Sequence, residues 1–232
     1  MPATKRPRFH TPKKKNAPVT RLLLIRHAEV ETRYQGVFGG KINMNLSERG
    51  REQAQILAQY LSSKKFDAIY ASPMKRVQQT FAPSRKLHPV KQVIMQGLRE
   101  IDFGDWTGFG WDAVRKKFGI QPYEWLDKID LGVVPNGEST VHFRKRVEPC
   151  LKKILRENEG KTVAIFCHGG VIRMLLALLL DLPLPKTAAF DVEYTSVTQV
   201  ALHPHINEIE LLNFTPWRDM PADKTQGFKS KT

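Results

Sequence analysis

The sequence predicts an α/β protein, a three-layer sandwich in which helices flank a mostly parallel central sheet that carries a small lid insertion. The first observation is that short apolar runs alternate with segments of helical periodicity along the chain. The second is that these runs are continuous, as is typical of strands buried on both faces. Strands that alternate with helices favour a parallel sheet covered by helices on both sides.

The first half of the chain is predicted to contain three strands and two helices. Residues 21–25 form an apolar run that ends at a charged segment. Ser47 suits the N-cap position of the first helix, since apolar residues recur behind it at helical spacing. Residues 66–71 are the second strand, and Pro73 suits the first turn of the next helix. Residues 90–95 are the third strand.

The second half begins with the insertion, expected at about 103–137 because that stretch is rich in glycine and aromatic residues. A long amphipathic helix fits 138–158, and residues 162–166 form a strand that leads into a strongly apolar helix ending at Leu180. Two further strands, 195–202 and 208–214, close the domain. The apolar side of the long helix is predicted to carry Val141, Val147, Leu151, Ile154 and Leu155.

The aromatic residues of the insertion have two interpretations. Residues 103–125 contain seven aromatic side chains, namely Phe103, Trp106, Phe109, Trp111, Phe118, Tyr123 and Trp125. The preferred interpretation is a small subdomain packed on itself. The alternative is a lid that presents aromatic rings to the organic part of a substrate.

The predicted domain covers residues 21–216, with a basic disordered tail at 1–20 and a polar tail at 217–232. The formal net charge is +14, and six of the basic residues lie in the first twenty positions with no acid. A solvated arm is the preferred role for that tail, and contact with nucleic acid or another anionic surface is the less favoured alternative. The sequence does not specify an oligomeric state.

Composition also narrows the cellular setting. No run of 18 consecutive apolar residues occurs, so no membrane span is expected. The two cysteines, Cys150 and Cys167, follow no metal-binding spacing, and a structural disulfide is not expected. These features favour a reducing compartment, and we expect a cytoplasmic protein.

Side chains that bear chemistry follow the predicted strands. His27 comes just after the first strand, and His168 comes just after the strand at 162–166. Arg76 lies beyond the second strand, and the carboxylates Glu100, Asp102 and Asp105 lie beyond the third. Because ligands of open α/β sheets bind at the carboxyl ends of the strands, we expect these residues to converge on one pocket.

Such a pocket suits transfer of a phosphoryl group to nitrogen. A phosphate monoester carries about −1.5 to −2 charges at pH 7, and arginine side chains bind its oxygens in a bidentate manner. An imidazole with a pKa of about 6.5 offers a neutral nitrogen for attack on phosphorus. A carboxylic acid then protonates the leaving oxygen. This chemistry needs no metal or other cofactor, unlike sites built around Mg²⁺.

Several motifs together resemble the histidine phosphatase (phosphoglycerate-mutase-like) superfamily, in its phosphatase branch. Each motif alone is weakly specific, but they occur in the family's order and span residues 21–202. They are Arg-His-Ala-Glu at 26–29, the helix start at 46–54, Ser-Pro-x-x-Arg-x-x-x-Thr at 72–80, the Glu loop at 98–108, Gly-Glu-Ser at 137–139 and His-Gly-Gly at 168–170.

The resemblance implies a role for each catalytic-type residue. His27 would be the nucleophile that is phosphorylated. Glu100 would protonate the leaving group and then activate the water that cleaves phosphohistidine, although Asp102 and Asp105 are nearby rivals.

The phosphoryl group would be bound by three side chains and one backbone amide. The side chains are those of Arg26, Arg76 and His168, with His168 acting as a protonated, cationic donor. The amide is that of Gly169 at the start of a helix, where N–H groups favour anions. No metal ligand is assigned.

Four positions depart from the family pattern. Ala28 stands where the family usually has glycine, Val30 where threonine is common, Arg33 where asparagine is common, and Asn43 where aspartate is frequent. Arg33 has two equal interpretations, a substrate contact or a solvated cation. These departures bear on substrate identity more than on catalysis.

The predicted function is that of a phosphomonoesterase acting on a small phosphorylated metabolite, such as α-ribazole 5′-phosphate or a sugar phosphate. The first alternative is a phosphoglycerate mutase, an isomerase; it is less favoured because the longer insertion of mutase-type relatives is absent from the sequence. The second alternative is a catalytically silent protein that binds through its basic N-terminal tail.

Overall fold

The computed structural model describes residues 18–221, apart from the side chain of Pro122. Residues 1–17 of the predicted basic tail and residues 222–232 of the predicted polar tail lie outside the described residues. The first strand begins at Thr20. A short helix at Pro216–Asp219 spans the predicted end of the domain. Among residues 18–221, no helix is both long enough and apolar enough to cross a bilayer.

One six-stranded mixed sheet forms the centre of the domain. Its spatial order is β3-β2-β4-β1-β5-β6. The first four strands in that order are parallel to one another, whereas β5 and β6 run antiparallel to their neighbours. The strands are β1 Thr20–Arg26, β2 Ala68–Ala71, β3 Gln92–Ile94, β4 Thr162–Cys167, β5 Val197–Leu202 and β6 Asn207–Phe214.

Helices cover both faces of this sheet, so the predicted α/β class with three layers is confirmed. In β1, Leu22 and Leu24 pack on one face, whereas Leu23 and Ile25 pack on the other. Each such buried side chain contributes about 1.5–3 kcal/mol of transfer free energy. The helices are α1 Glu48–Ser62, α2 Lys75–Phe81, α3 Trp111–Phe118, α4 Trp125–Asp130, α5 Thr140–Glu157, α6 Gly169–Leu180 and α7 Pro216–Asp219.

Two helix starts show where the sequence patterns succeed and fail. Ser47 is the N-cap of α1, and its hydroxyl accepts a hydrogen bond of 2.8 Å from the Gly50 amide, as predicted. The prediction that Pro73 lies in the first turn of α2 is wrong, because the N-cap is Met74 and the helix begins at Lys75.

The long helix α5 buries most of its predicted apolar side. Val147, Leu151 and Ile154 pack in the core. Val141 was predicted on the same side but is 72% exposed. It lies in the first turn, in which Phe143 rather than Val141 is buried. The start of an amphipathic helix is therefore less well specified than its middle.

Candidate active site

Three neighbouring parallel strands place the chemistry-bearing residues side by side. Arg26, the last residue of β1, pairs with Cys167, the last residue of β4. His27 and His168 therefore leave the sheet next to each other, and their ring centroids are 5.3 Å apart. Ser72 follows the end of β2 on the other side of β4.

Arg76 of α2 connects the two imidazoles. Its Nε lies 3.2 Å from His27 Nε2 and 3.2 Å from His168 Nδ1. Its other nitrogens donate to the carbonyl oxygens of Ile42 at 2.8 Å and Gly40 at 3.1 Å. The side chain is 2% exposed, so a buried guanidinium is anchored at both ends.

Hydrogen bonds assign the tautomer of each ring. His27 Nδ1 lies 2.8 Å from the Ala28 carbonyl oxygen, so Nδ1 carries the hydrogen and Nε2 is the acceptor toward Arg76. His168 Nδ1 accepts from Arg76, and its Nε2 lies 2.8 Å from the Ser72 hydroxyl. His27 Nε2 therefore presents a lone pair.

Burial and positive neighbours keep both rings neutral. The pKa of His27 is well below its ordinary value, first because of burial and then because of Arg76 and Arg26. The pKa of His168 is also well below its ordinary value, first because of burial and then because of Arg76, His27 and Arg26. Burial also lowers the pKa of Arg76 to about 10, which leaves it charged at neutral pH. Without phosphate, this structure favours the neutral form of His168, and a cationic His168 stays a prediction for the phosphate-bound state.

Thr80 holds the loop after β1 against α2. Its hydroxyl accepts from the Ala28 amide at 2.8 Å and donates to the Arg76 carbonyl oxygen at 2.7 Å. The Ala28 side chain is fully buried with Leu46 and Ala54. The extra methyl at this departure from the family pattern therefore faces the core rather than the site.

Arg26 has one donor without an acceptor. Its Nη1 donates to the Val192 carbonyl oxygen at 2.6 Å, and its guanidinium lies 4.2 Å from the Tyr194 ring centroid. Its Nε is buried and has no hydrogen-bond partner among residues 18–221. A buried donor left unpaired costs about 1–3 kcal/mol, so this atom favours a ligand that accepts hydrogen bonds.

Glu100 is one of three carboxylates that line the cavity beside these residues, with Asp191 and Glu193. One oxygen accepts from the Ile101 amide at 3.0 Å, and the other accepts from the Gly170 amide at 3.3 Å, at the start of α6. Gly169, the other glycine of that turn, also borders the cavity. The rivals point elsewhere: Asp102 pairs with Lys41 at 2.9 Å, and Asp105 accepts from Asn136 at 3.0 Å.

A cavity of about 400 Å³ joins these groups to the insertion. We call Arg26, His27, Arg76 and His168 the phosphate end. The first three residues line the cavity, whereas His168 contacts Arg76 just behind the cavity surface. The opposite side, here called the ring wall, consists of Phe38, Phe103, Trp111 and Trp125. Their rings contact one another edge to face, with Phe38 and Trp111 centroids 4.5 Å apart. The rings of the insertion thus pack together and also line the cavity. Their contact with the organic part of a substrate stays a prediction.

Some residues that line the cavity were not predicted from the sequence. Phe38 lies in the loop after β1, and Arg173 lies on α6. Asp191, Glu193 and Tyr194 precede β5, whose first residue pairs with Ile25 and so brings them to the same sheet edge. The acid-rich run before β5 was the available signal, but an antiparallel pairing between distant segments is not visible in a single sequence.

Of the other departures from the family pattern, Val30 lines the cavity, whereas Arg33 and Asn43 do not. Arg33 is exposed and pairs with Glu31 at 3.4 Å. That geometry favours the solvated interpretation over substrate contact. Asn43 accepts a hydrogen bond of 3.0 Å from the Lys75 amide at the start of α2.

Known proteins share both the sequence pattern and this fold. The model of the histidine phosphatase superfamily (branch 1) matches residues 22–215. Phosphoserine phosphatase 1 of Hydrogenobacter thermophilus is 31% identical over 200 residues, covering 85% of this chain and 93% of that protein. The adenosylcobalamin/alpha-ribazole phosphatase of Escherichia coli K12 is 27% identical, with coverage of 83% and 95%.

A solved structure agrees with these matches. The crystal structure of a putative alpha-ribazole-5′-P phosphatase from Escherichia coli superposes with a TM-score of 0.74 at 27% identity. The alignment covers 86% of this chain and 98% of that one. The similarity therefore includes the whole α/β domain.

Proposed function

This chain belongs to the histidine phosphatase superfamily, and from that premise we propose that it hydrolyses phosphate monoesters through a phosphohistidine on His27. Its family and its phosphatase-named relatives make it a phosphoric monoester hydrolase. The observation that carries the proposed mechanism is the neutral imidazole of His27, whose Nε2 has a lone pair and lies 3.2 Å from Arg76 Nε.

In the first step, His27 Nε2 forms a bond to phosphorus while the bond from phosphorus to the ester oxygen breaks. Glu100, which holds a proton at this stage, passes it to the departing oxygen. Arg26 and Arg76 offset the charge on the phosphoryl oxygens, and the unpaired Arg26 Nε supplies a donor. The Gly169 amide adds a further donor from the start of α6.

In the second step, the Glu100 carboxylate takes a proton from water, and the water oxygen attacks phosphorus. The bond from phosphorus to His27 Nε2 breaks, so the net reaction is ester plus water to alcohol plus phosphate. A phosphate dianion raises the pKa of an imidazole beside it. His168 therefore becomes a cationic donor only when phosphate is bound.

The ring wall supports a finer proposal about the substrate. A cavity of about 400 Å³ with Phe38, Trp111 and Trp125 on one side suits an ester with a bulky, apolar or ring-bearing group. Two relatives are named for phosphoserine and alpha-ribazole phosphatases, so both compounds belong in a substrate panel. Small phosphorylated metabolites remain the proposed substrate class.

A cytoplasmic location also belongs to this proposal. Cys150 and Cys167 are both free and buried, which is compatible with a reducing compartment. Nucleic-acid contact through residues 1–17 is not part of the proposal.

The test is phosphate release over a panel of metabolite esters, with EDTA present and without bisphosphoglycerate. Wild type is compared with His27→Ala and Glu100→Gln, and the exposed His205→Ala is the matched control. We expect His27→Ala to lose at least about 10⁴-fold in kcat, and rapid quenching of wild type to trap an acid-labile phosphohistidine. Loss of activity with the chelator, an active His27→Ala, or an isomerised ester as product would each contradict the proposal.

A further inference from the structure

The Gly-Glu-Ser motif at 137–139 has no part in the chemistry described above, yet it leads to the Glu100 loop. Glu138 lies just before α5, and its carboxylate accepts two hydrogen bonds from Arg146, at 2.6 Å from Nε and 2.7 Å from Nη2. Their side chains are only 15% and 26% exposed. Bidentate pairs of this kind are the strong type of ion pair.

Arg146 uses its other donors on the backbone of the Glu100 loop. Its Nη1 donates to the carbonyl oxygens of Gly97 at 2.8 Å and Arg99 at 2.6 Å. Its Nη2 donates to the carbonyl oxygen of Glu100 at 3.0 Å. A guanidinium has five N–H donors, and the five hydrogen bonds to Glu138 and to this loop use all of them.

The same loop is held by further contacts with this pair. Glu138 accepts from the Asp102 amide at 3.3 Å and donates its own amide to the Asp102 carbonyl oxygen at 2.8 Å. Gly97 lies so close to α5 that a Cβ there would be 2.4 Å from the Arg146 carbonyl oxygen. Residues 99–103 lie outside helices and strands, so their backbone has no strand ladder and depends in part on these side chains.

We propose that Arg146 and Glu138 are positioning residues for the Glu100 carboxyl, an inference that rests on the proposed function. They fix the backbone of Glu100 from α5, while the Gly170 amide holds its carboxylate from α6. Because protonation of a leaving oxygen depends on distance and direction, a loosened loop weakens acid catalysis while the phosphate end stays intact.

The experiment compares two esters that differ in how strongly their hydrolysis depends on protonation of the leaving group. An alkyl phosphate releases a poorly stabilised alkoxide and depends on protonation, whereas p-nitrophenyl phosphate releases a stable phenolate and depends on it far less. The alkyl ester is O-phosphoserine, or whichever alkyl ester of the panel wild type hydrolyses fastest. The quantity compared is kcat/KM, which reports transfer of the phosphoryl group to His27.

We expect Arg146→Lys and Glu138→Gln to lower kcat/KM for the alkyl ester by about 10–100-fold, and for p-nitrophenyl phosphate by less than about threefold. Lysine keeps the charge but has three donors instead of five. The inhibition constant of inorganic phosphate should stay within about twofold, since the phosphate end is untouched. The double variant with Arg146→Lys and Glu100→Gln should have nearly the same kcat/KM for the alkyl ester as Glu100→Gln alone.

Arg144→Lys is the matched control, because Arg144 is exposed on the same helix and pairs with Glu148 at 2.8 Å. It should leave both esters unchanged. Equal losses on both esters, or no loss, in Arg146→Lys and Glu138→Gln would overturn the positioning role. If Arg146→Lys does not fold, Glu138→Gln decides alone, since it keeps the size and one acceptor oxygen. A Glu100→Gln variant without preference between the esters would instead refute the proposed acid.

Discussion

The phosphate end and the ring wall face each other across one cavity but are built in different ways. At the phosphate end, Arg76 alone reaches two imidazoles and two carbonyl oxygens. The ring wall is held by edge-to-face contacts, with Phe38 and Phe103 centroids 4.9 Å apart. Directional hydrogen bonds between residues near the strand ends define the phosphate end. Apolar packing between the loop after β1 and the insertion defines the ring wall.

This difference predicts how each region responds to change. A hydrogen-bond network fails sharply when one member is altered, because its partners are left unpaired in a buried place. An apolar wall loses contact area gradually. We therefore expect large, substrate-independent losses at the phosphate end and smaller, substrate-dependent losses at the ring wall.

Among the variants that compare the two regions, the largest effect is expected for Arg76→Lys. Lysine cannot reach two imidazoles and two carbonyl oxygens with a planar fork, so kcat/KM should fall by about 10²–10³-fold. The loss should be similar for every ester of the panel. Steady-state kinetics on three esters measures the loss in kcat/KM. A loss confined to bulky esters would contradict the proposed difference between the two regions.

The next effect concerns stability at mildly acidic pH. The pKa values of His27 and His168 are lowered in the folded protein. Above a pH of about 6.5 these rings are neutral in both the folded and unfolded states, so they add no pH dependence. As the pH falls below that value, only the unfolded chain takes up these protons, until the lowered pKa values of the folded state are reached.

The free energy of unfolding should therefore decrease below pH 6.5, by about 1.4 kcal/mol per pH unit for each ring. His27→Gln should remove one ring's share of that slope. Urea denaturation of both proteins between about pH 5 and 7.5 measures the difference. Identical slopes would mean that the pKa of His27 is not lowered in the folded protein.

A smaller and selective effect is expected at the ring wall. Trp111→Leu removes one aromatic face from the cavity, and should lower kcat/KM for ring-bearing esters by about tenfold. Glycerol phosphate, which is too small to span the cavity, should change by less than about twofold. Tyr123→Leu is the matched control, because that ring is 77% exposed and does not line the cavity. Equal losses for small and large esters would place Trp111 in the folding of the insertion only.

The smallest effect is expected at Asn43, in the loop that contacts the start of α2. Asn43 accepts from the Lys75 amide at the start of α2. Asn43→Asp keeps that acceptor and adds a negative charge near a helix N-terminus, so stability should rise by about 0.3–1 kcal/mol. Asn43→Ala should lower it by a similar amount. Thermal denaturation compares the three proteins, and a destabilised aspartate variant would contradict this account.

The two regions also differed in how far the sequence could predict them. The phosphate end was foreseeable because its histidines and arginines follow strands recognisable by their apolar runs, and parallel strands bring their ends together. Of the ring wall, only the residues in the insertion could be predicted from the sequence. Phe38 carries no distinguishing pattern, and Tyr194 reaches the site through the pairing of β5 with β1, which no local signal encodes. The role proposed for Arg146 likewise appears only when its hydrogen bonds are seen together.

Gly169 and Gly170 are neighbours of the same type, but their tolerance to mutation should be opposite. A Cβ at position 169 would come no closer than 3.7 Å to Arg26, which is an ordinary contact. A Cβ at position 170 would lie 2.5 Å from a Glu100 carboxylate oxygen. In a saturation library selected for activity, alanine and serine should survive at the first position, while the second should retain glycine alone.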